Sequence, residues 1–113
     1  MEANFTIIYT EEARAFIRSL PQKVKEKVEY NLTKSQYFMD KELFKKLDAT
    51  DIWEFRTLYN GNCYRLLSFW DTEKDTLVIA THGFLKKTQK TPSKEIKKAE
   101  AIRKQYFEDK LKD

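Results

Sequence analysis

Two arginines, one histidine and a run of lysines are the residues of this chain best suited by type and spacing to do chemistry. Arg56 and Arg65 lie in two stretches rich in aromatic and branched residues, 52–59 and 62–70, on either side of Asn60-Gly61. Asn-Gly between such stretches is the strongest short hairpin signal, because both central residues of a type I′ turn take positive φ. A two-residue loop determines the pairing. Tyr59 faces Asn62, each outward step adds one residue per strand, and Arg56 is expected opposite Arg65 on one face. Like charges so opposed, with Cβ atoms about 5 Å apart, destabilise a sheet. A fold gains nothing from that pair, whereas a bound oxyanion does, since two converging guanidinium forks make a phosphate site. Glu54, two residues before Arg56 on the same face, has two readings. It either neutralises the arginines in an ordinary ion pair or holds them in place for a ligand.

A third expected strand, 77–85, extends the row. If the 71–76 connection closes symmetrically, Trp70 faces Leu77 and Arg65 faces His82. Arg56, Arg65 and His82 then line one face, with Lys86 on the same parity. His82 is the only histidine, and its near-neutral pKa suits acid–base work. The competing reading is a hydrogen-bonded structural histidine before Gly83. Cys63 shares the parity but has no base beside it, and reads as a small buried apolar side chain. Lys86, Lys87, Lys90, Lys94, Lys97 and Lys98 face a single acid, Glu95, so the window 86–98 carries more charge than the whole chain's +4. Such a cluster suits a polyanion such as nucleic acid, or else is a solvated lysine-rich helix start.

These residues need a scaffold, and the patterning supplies one. Residues 5–9 alternate as a short strand. Thr10 is placed to N-cap a helix with Glu11 and Glu12 in its first turn, and Ala13, Phe16, Ile17 and Leu20 form its buried stripe. Pro21 ends that helix and fits the first turn of the next, which carries Val24, Val28 and Leu32 toward Tyr37 and Phe38. Thr91-Pro92 reads as an N-cap followed by proline at N1 of a last helix, burying Ile96, Ala99, Ile102 and Tyr106. The expected fold class is α+β, in the order β-α-α-β-β-β-α, with an antiparallel sheet and a helical hairpin on one face. At 113 residues and 41% hydrophobic content one domain, 1–113, is expected. One cysteine gives no internal disulfide, and no His/Cys/carboxylate spacing calls for a metal or cofactor. No apolar run approaches the ~20 residues of a membrane span, and the start lacks a secretory pattern, so a cytoplasmic protein with no membrane partner is expected.

Several segments together resemble the RelE/HigB toxin superfamily, in its phage-derived HigB-like branch of type II toxin–antitoxin systems. They are Ile52-Trp53-Glu54-Phe55-Arg56, then Tyr64-Arg65-Leu66-Leu67-Ser68-Phe69-Trp70, and above all the stretch from His82-Gly83-Phe84 through Lys86-Lys87 and Lys90-Thr91-Pro92, with Glu95, Ile96 and Ala99 following. The likeness is strongest from about residue 43 to residue 107. It implies a RelE/ParE-like, microbial-RNase-like fold, cleavage of mRNA on the ribosome, and a cognate antitoxin, often a helix-turn-helix protein. The basic active-site positions it implies fall on Arg56, Arg65, Lys86 and Lys87. Where other members use a tyrosine or histidine near the C-terminus, this chain offers Tyr106. A metal-free reaction in which the RNA 2′-OH attacks the adjacent phosphate would use Arg56 and Arg65 on the phosphate. Lys86 and His82 would serve charge stabilisation and proton transfer, and Lys87, Lys90 and Lys94 would hold flanking phosphates. Two other readings stay open: a ParE-type toxin directed at gyrase, and a non-enzymatic module that binds nucleic acid or antitoxin.

Overall fold

The computed structural model describes residues 2–74, 76–86 and 90–112. Its elements are β1 (Thr6–Tyr9), α1 (Glu11–Arg18), α2 (Gln22–Tyr37), β2 (Phe44–Lys46), β3 (Trp53–Tyr59), β4 (Asn62–Trp70), β5 (Leu77–Lys86) and α3 (Ser93–Leu111). The class is α+β, as expected, with one added strand, β2, and one parallel pairing, β1 with β5, in a sheet expected to be antiparallel. The strands form one sheet in the order β1-β5-β4-β3-β2, so the expected meander of β3, β4 and β5 is its centre. β1 joins the meander in parallel beside β5, and β2 adds an antiparallel edge beside β3.

Local chemistry accounts for most of these elements. Thr10 caps α1 by accepting from the Ala13 N–H at 3.0 Å. Asn60 and Gly61 take φ of 48° and 78°, the two positive values that a type I′ turn requires. Two helix starts differ from expectation. Pro21 and Pro92 are N-cap residues, outside the first turns of α2 and α3. A proline N-cap has no side chain to offer the helix, and Thr91 is thereby released from capping for another contact.

The sheet carries a core on each face. On one, α1 and α2 cover Phe5, Ile7, Phe44, Phe55, Leu66, Val78 and Ala80. On the other, α3 covers Ile52, Leu67, Phe69 and Ile79 around Ala99. At Gly83 α1 packs hard against β5: a Cβ there would lie 2.1 Å from the Phe16 ring. Among the described residues no helix is long and apolar enough to cross a membrane.

Candidate functional site

The hairpin register is the one the turn dictates. Arg56 pairs with Arg65, and Tyr59 with Asn62. The next register differs from expectation. Trp70 faces Val78, the ladder slips between Leu67 and Ser68, and beyond the slip Leu67 faces His82 while Arg65 faces Phe84. Thr81 is the extra residue, a β-bulge with its hydroxyl donating to the Leu67 carbonyl at 3.1 Å. The net offset is two residues, so His82 keeps the face of the arginines but not the place beside Arg65. Three rows follow one another on that face: Glu54, Leu67 and His82; Arg56, Arg65 and Phe84; Leu58, Cys63 and Lys86.

Within the middle row the two arginines occupy different surroundings. The Arg65 side chain is 1% exposed and Arg56 22%. Arg65 Nη1 donates to Thr91 Oγ1 at 2.9 Å and lies 3.7 Å from Glu54 Oε2, and its Nε reaches Cys63 Sγ at 3.4 Å. Thr91 Oγ1 in turn donates to Glu54 Oε2. The other Glu54 oxygen is 3.6 Å from Arg56 Nε. One buried carboxylate therefore serves both arginines. It offsets the repulsion of the opposed pair and sets Arg65 as a fixed charge beside the more exposed Arg56.

His82 is 2% exposed and lies under the first turns of α3. Its Nδ1 is 3.1 Å from Thr81 Oγ1 and its Nε2 3.2 Å from Glu95 Oε1. Burial pushes its pKa below the ordinary 6.5, and the nearby Lys98 adds to this against the hydrogen bond to Glu95. The expected row of Arg56, Arg65 and His82 is thus replaced by Arg56, Arg65 and Phe84. His82 instead ties the bulge to α3.

Lys86 is half-buried at the end of β5, opposite Cys63. Lys90 and Lys94 are exposed, Lys94 on the first turn of α3. Lys87 lies outside the described residues. A groove of about 400 Å³ runs beside the buried network, lined by Glu54, Thr91 and Lys90, by Lys45 and Lys46 of β2, and by a second acid, Asp48. Those two lysines were absent from the sequence expectations. Lys45 pairs with Glu54 across the edge ladder and is exposed, so it extends the first row with a cation. Three residues of strand give too short a pattern to read, although a lysine pair beside an aromatic residue is a usual edge-strand signature.

Tyr106 stands apart from this site. It sits some thirteen residues along α3 from Ser93, roughly 20 Å at 1.5 Å per residue, and donates to Asp71 Oδ2 at 2.6 Å. Burial and the bond to Asp71 push its hydroxyl pKa above the ordinary range.

The profile of the family described as "Phage derived protein Gp49-like" matches residues 15–104. No curated protein matches the sequence significantly. Three solved structures share the fold. A mutant of Escherichia coli toxin RelE in the free state has 18% identity and a TM-score of 0.59, and the match covers 89% of this chain and 97% of that one. The intact E. coli RelBE toxin–antitoxin complex gives 20% identity and 0.54, covering 76% and 99%. The RelBE2 toxin–antitoxin complex of Mycobacterium tuberculosis gives 20% and 0.52, covering 74% and 99%. By its sequence the chain belongs to the phage-derived Gp49-like family, and it is built on the fold of the RelE-type toxins.

Proposed function

We propose that this protein is the toxin of a toxin–antitoxin pair and a metal-free endoribonuclease that cuts mRNA on the ribosome. The observation that carries the reading is the arginine pair. Arg56, partly exposed, lies across the β3–β4 ladder from a second, buried guanidinium that Glu54 and Thr91 hold still, and those two residues also line a groove with Lys45, Lys46, Asp48 and Lys90. A surface that only needed to be soluble would not bury a cation beside another cation. A site that stabilises a phosphorane-like charge profits from both, because positioned charges aimed at a developing anion cost no reorganisation during reaction. The phage-derived family and the toxin fold support the same assignment.

In this reading Arg56 touches the scissile phosphate and Arg65 reinforces it from the neighbouring strand. Lys86 stabilises charge or moves a proton, and Lys87, Lys90 and Lys94 hold flanking phosphates. His82, sealed under α3, acts as a positioning residue in place of the acid or base the sequence suggested. The partners are mRNA, the ribosome and an antitoxin, in the cytoplasm.

Induced expression in a bacterial host, with growth and mRNA 5′ ends mapped together, tests the proposal. Wild type is expected to arrest growth and create in-frame cuts. Arg56→Ala should lower cleavage by roughly 10²–10³ with an unchanged melting temperature. Arrest without cuts would overturn the nuclease in favour of a gyrase-directed toxin, and no arrest would favour a binding module.

A further inference from the structure

A second hollow, of about 250 Å³, lies between α2 and the outer edge of β3, with Arg56 in its lining. Lys27, Tyr30 and Lys34 of α2 form one wall, Arg56 and Leu58 of β3 another, and Glu42 is the single acid on its lining among the described residues. The helix residues belong together by period. Lys23, Lys27, Tyr30 and Lys34 recur at intervals of four, three and four, so they share one face, and all four are exposed. Tyr30 is 62% exposed and Leu58 64%, an aromatic and an aliphatic side chain left open to water amid cations. Lys27 Nζ stands 5.9 Å from the Tyr30 ring centroid, a cation already held against that ring.

An aromatic ring flanked by lysines is the chemistry that takes a nucleobase on its face and the adjoining phosphates on the ammonium groups. The volume is under the roughly 300–1,000 Å³ of drug-sized pockets, which suits one nucleotide. Its border with Arg56 places that nucleotide next to the proposed reaction centre. We propose that this hollow is a nucleotide subsite for single-stranded RNA, in which a base stacks on Tyr30 against Leu58 while Lys27 and Lys34 hold its phosphates. The inference rests on the RNA-cleaving reading and adds the path the strand takes on leaving Arg56.

Anisotropy of a fluorescein-labelled twelve-nucleotide single-stranded RNA, titrated with protein between 50 and 300 mM KCl, tests it. Tyr30→Ala is expected to weaken binding about tenfold, Tyr30→Phe to restore it, and the pair Lys27→Ala and Lys34→Ala to flatten the slope of log affinity against log salt by roughly 1.4. All are surface changes, and thermal melts should coincide with wild type. Wild type that binds the RNA while Tyr30→Ala binds equally well would overturn the subsite alone, leave the nuclease reading standing and give this face to a protein partner. Wild type that fails to bind the RNA would overturn the subsite, and absent cuts in the expression experiment would then remove the nuclease reading as well.

Discussion

Arg65 is a cation with almost no access to water, and a buried ion survives only where partners replace its hydration. Glu54, Thr91 and Cys63 are such partners. Their removal therefore affects folding more than surface ion pairs do. Glu54→Ala leaves a buried guanidinium short of its counter-charge and is expected to cost about 3–5 kcal/mol, read from the midpoint of urea denaturation. Thr91→Val keeps the shape but deletes the hydroxyl that joins Arg65 to Glu54, with an expected cost of about 1–3 kcal/mol. Thr91→Ser keeps the hydroxyl and should stay within about 1 kcal/mol of wild type; a loss as large as that of Thr91→Val would count against the hydrogen bonds to Arg65 and Glu54.

At the scale of elements, two contacts put the arginine face where it is. The Asn60-Gly61 turn sets the β3–β4 register, and the bulge at Thr81 resets β4–β5 so that Arg65 meets Phe84. Thr10 reinforces the bulge, because the hydroxyl that caps α1 also donates to the Thr81 carbonyl at 2.7 Å. Gly83, two residues further, lets the Phe16 ring rest on the strand. Gly83→Ala drives a methyl into that ring and should destabilise the protein by about 1–3 kcal/mol, and combining it with Phe16→Ala should return part of the loss. A thermal melt of the single and double variants checks this, and additive losses would count against the contact.

At the scale of the whole molecule, α3 is fastened at both ends. Near its start Glu95 meets His82 and Lys98 meets Glu12 of α1, and near its end Tyr106 and Lys110 both donate to the buried Asp71. Burial resists the charge on Asp71, but hydrogen bonds from Lys110, Tyr106 and the Glu73 N–H outweigh it and hold its pKa to about 2, from an ordinary 3.8. A depressed carboxylate pKa gives stability that is present above the unfolded value and is lost as pH falls through the folded one. Asp71 should thus contribute about 2 kcal/mol at neutral pH, lost between pH 3.8 and about 2. His82, also depressed, acts earlier and in the same direction. The unfolded chain takes up a proton near pH 6.5 that the folded one resists, so stability begins to fall as pH drops below that value. Urea denaturation at intervals from pH 8 to pH 2 should show both declines. Asp71→Asn should remove the lower one, and His82→Gln the upper.

The sequence by itself determined what depends on near neighbours. The Asn-Gly turn demands positive φ at two adjacent residues, so Arg56 opposite Arg65 follows from local geometry. The Thr10 cap and the apolar stripes of the helices follow from periods within single elements. Residues 71–76 carry no such constraint, and only packing decided that β5 would bulge at Thr81, with Thr10 on its carbonyl and Phe16 over Gly83. The same holds for β2, three residues that become a strand because β3 has an edge to offer, and for Thr91, whose hydroxyl left the helix cap for a buried carboxylate 37 residues away. Which arginine is sealed and which is open was settled there too, since burial is a property of the neighbours that the fold brings to a side chain.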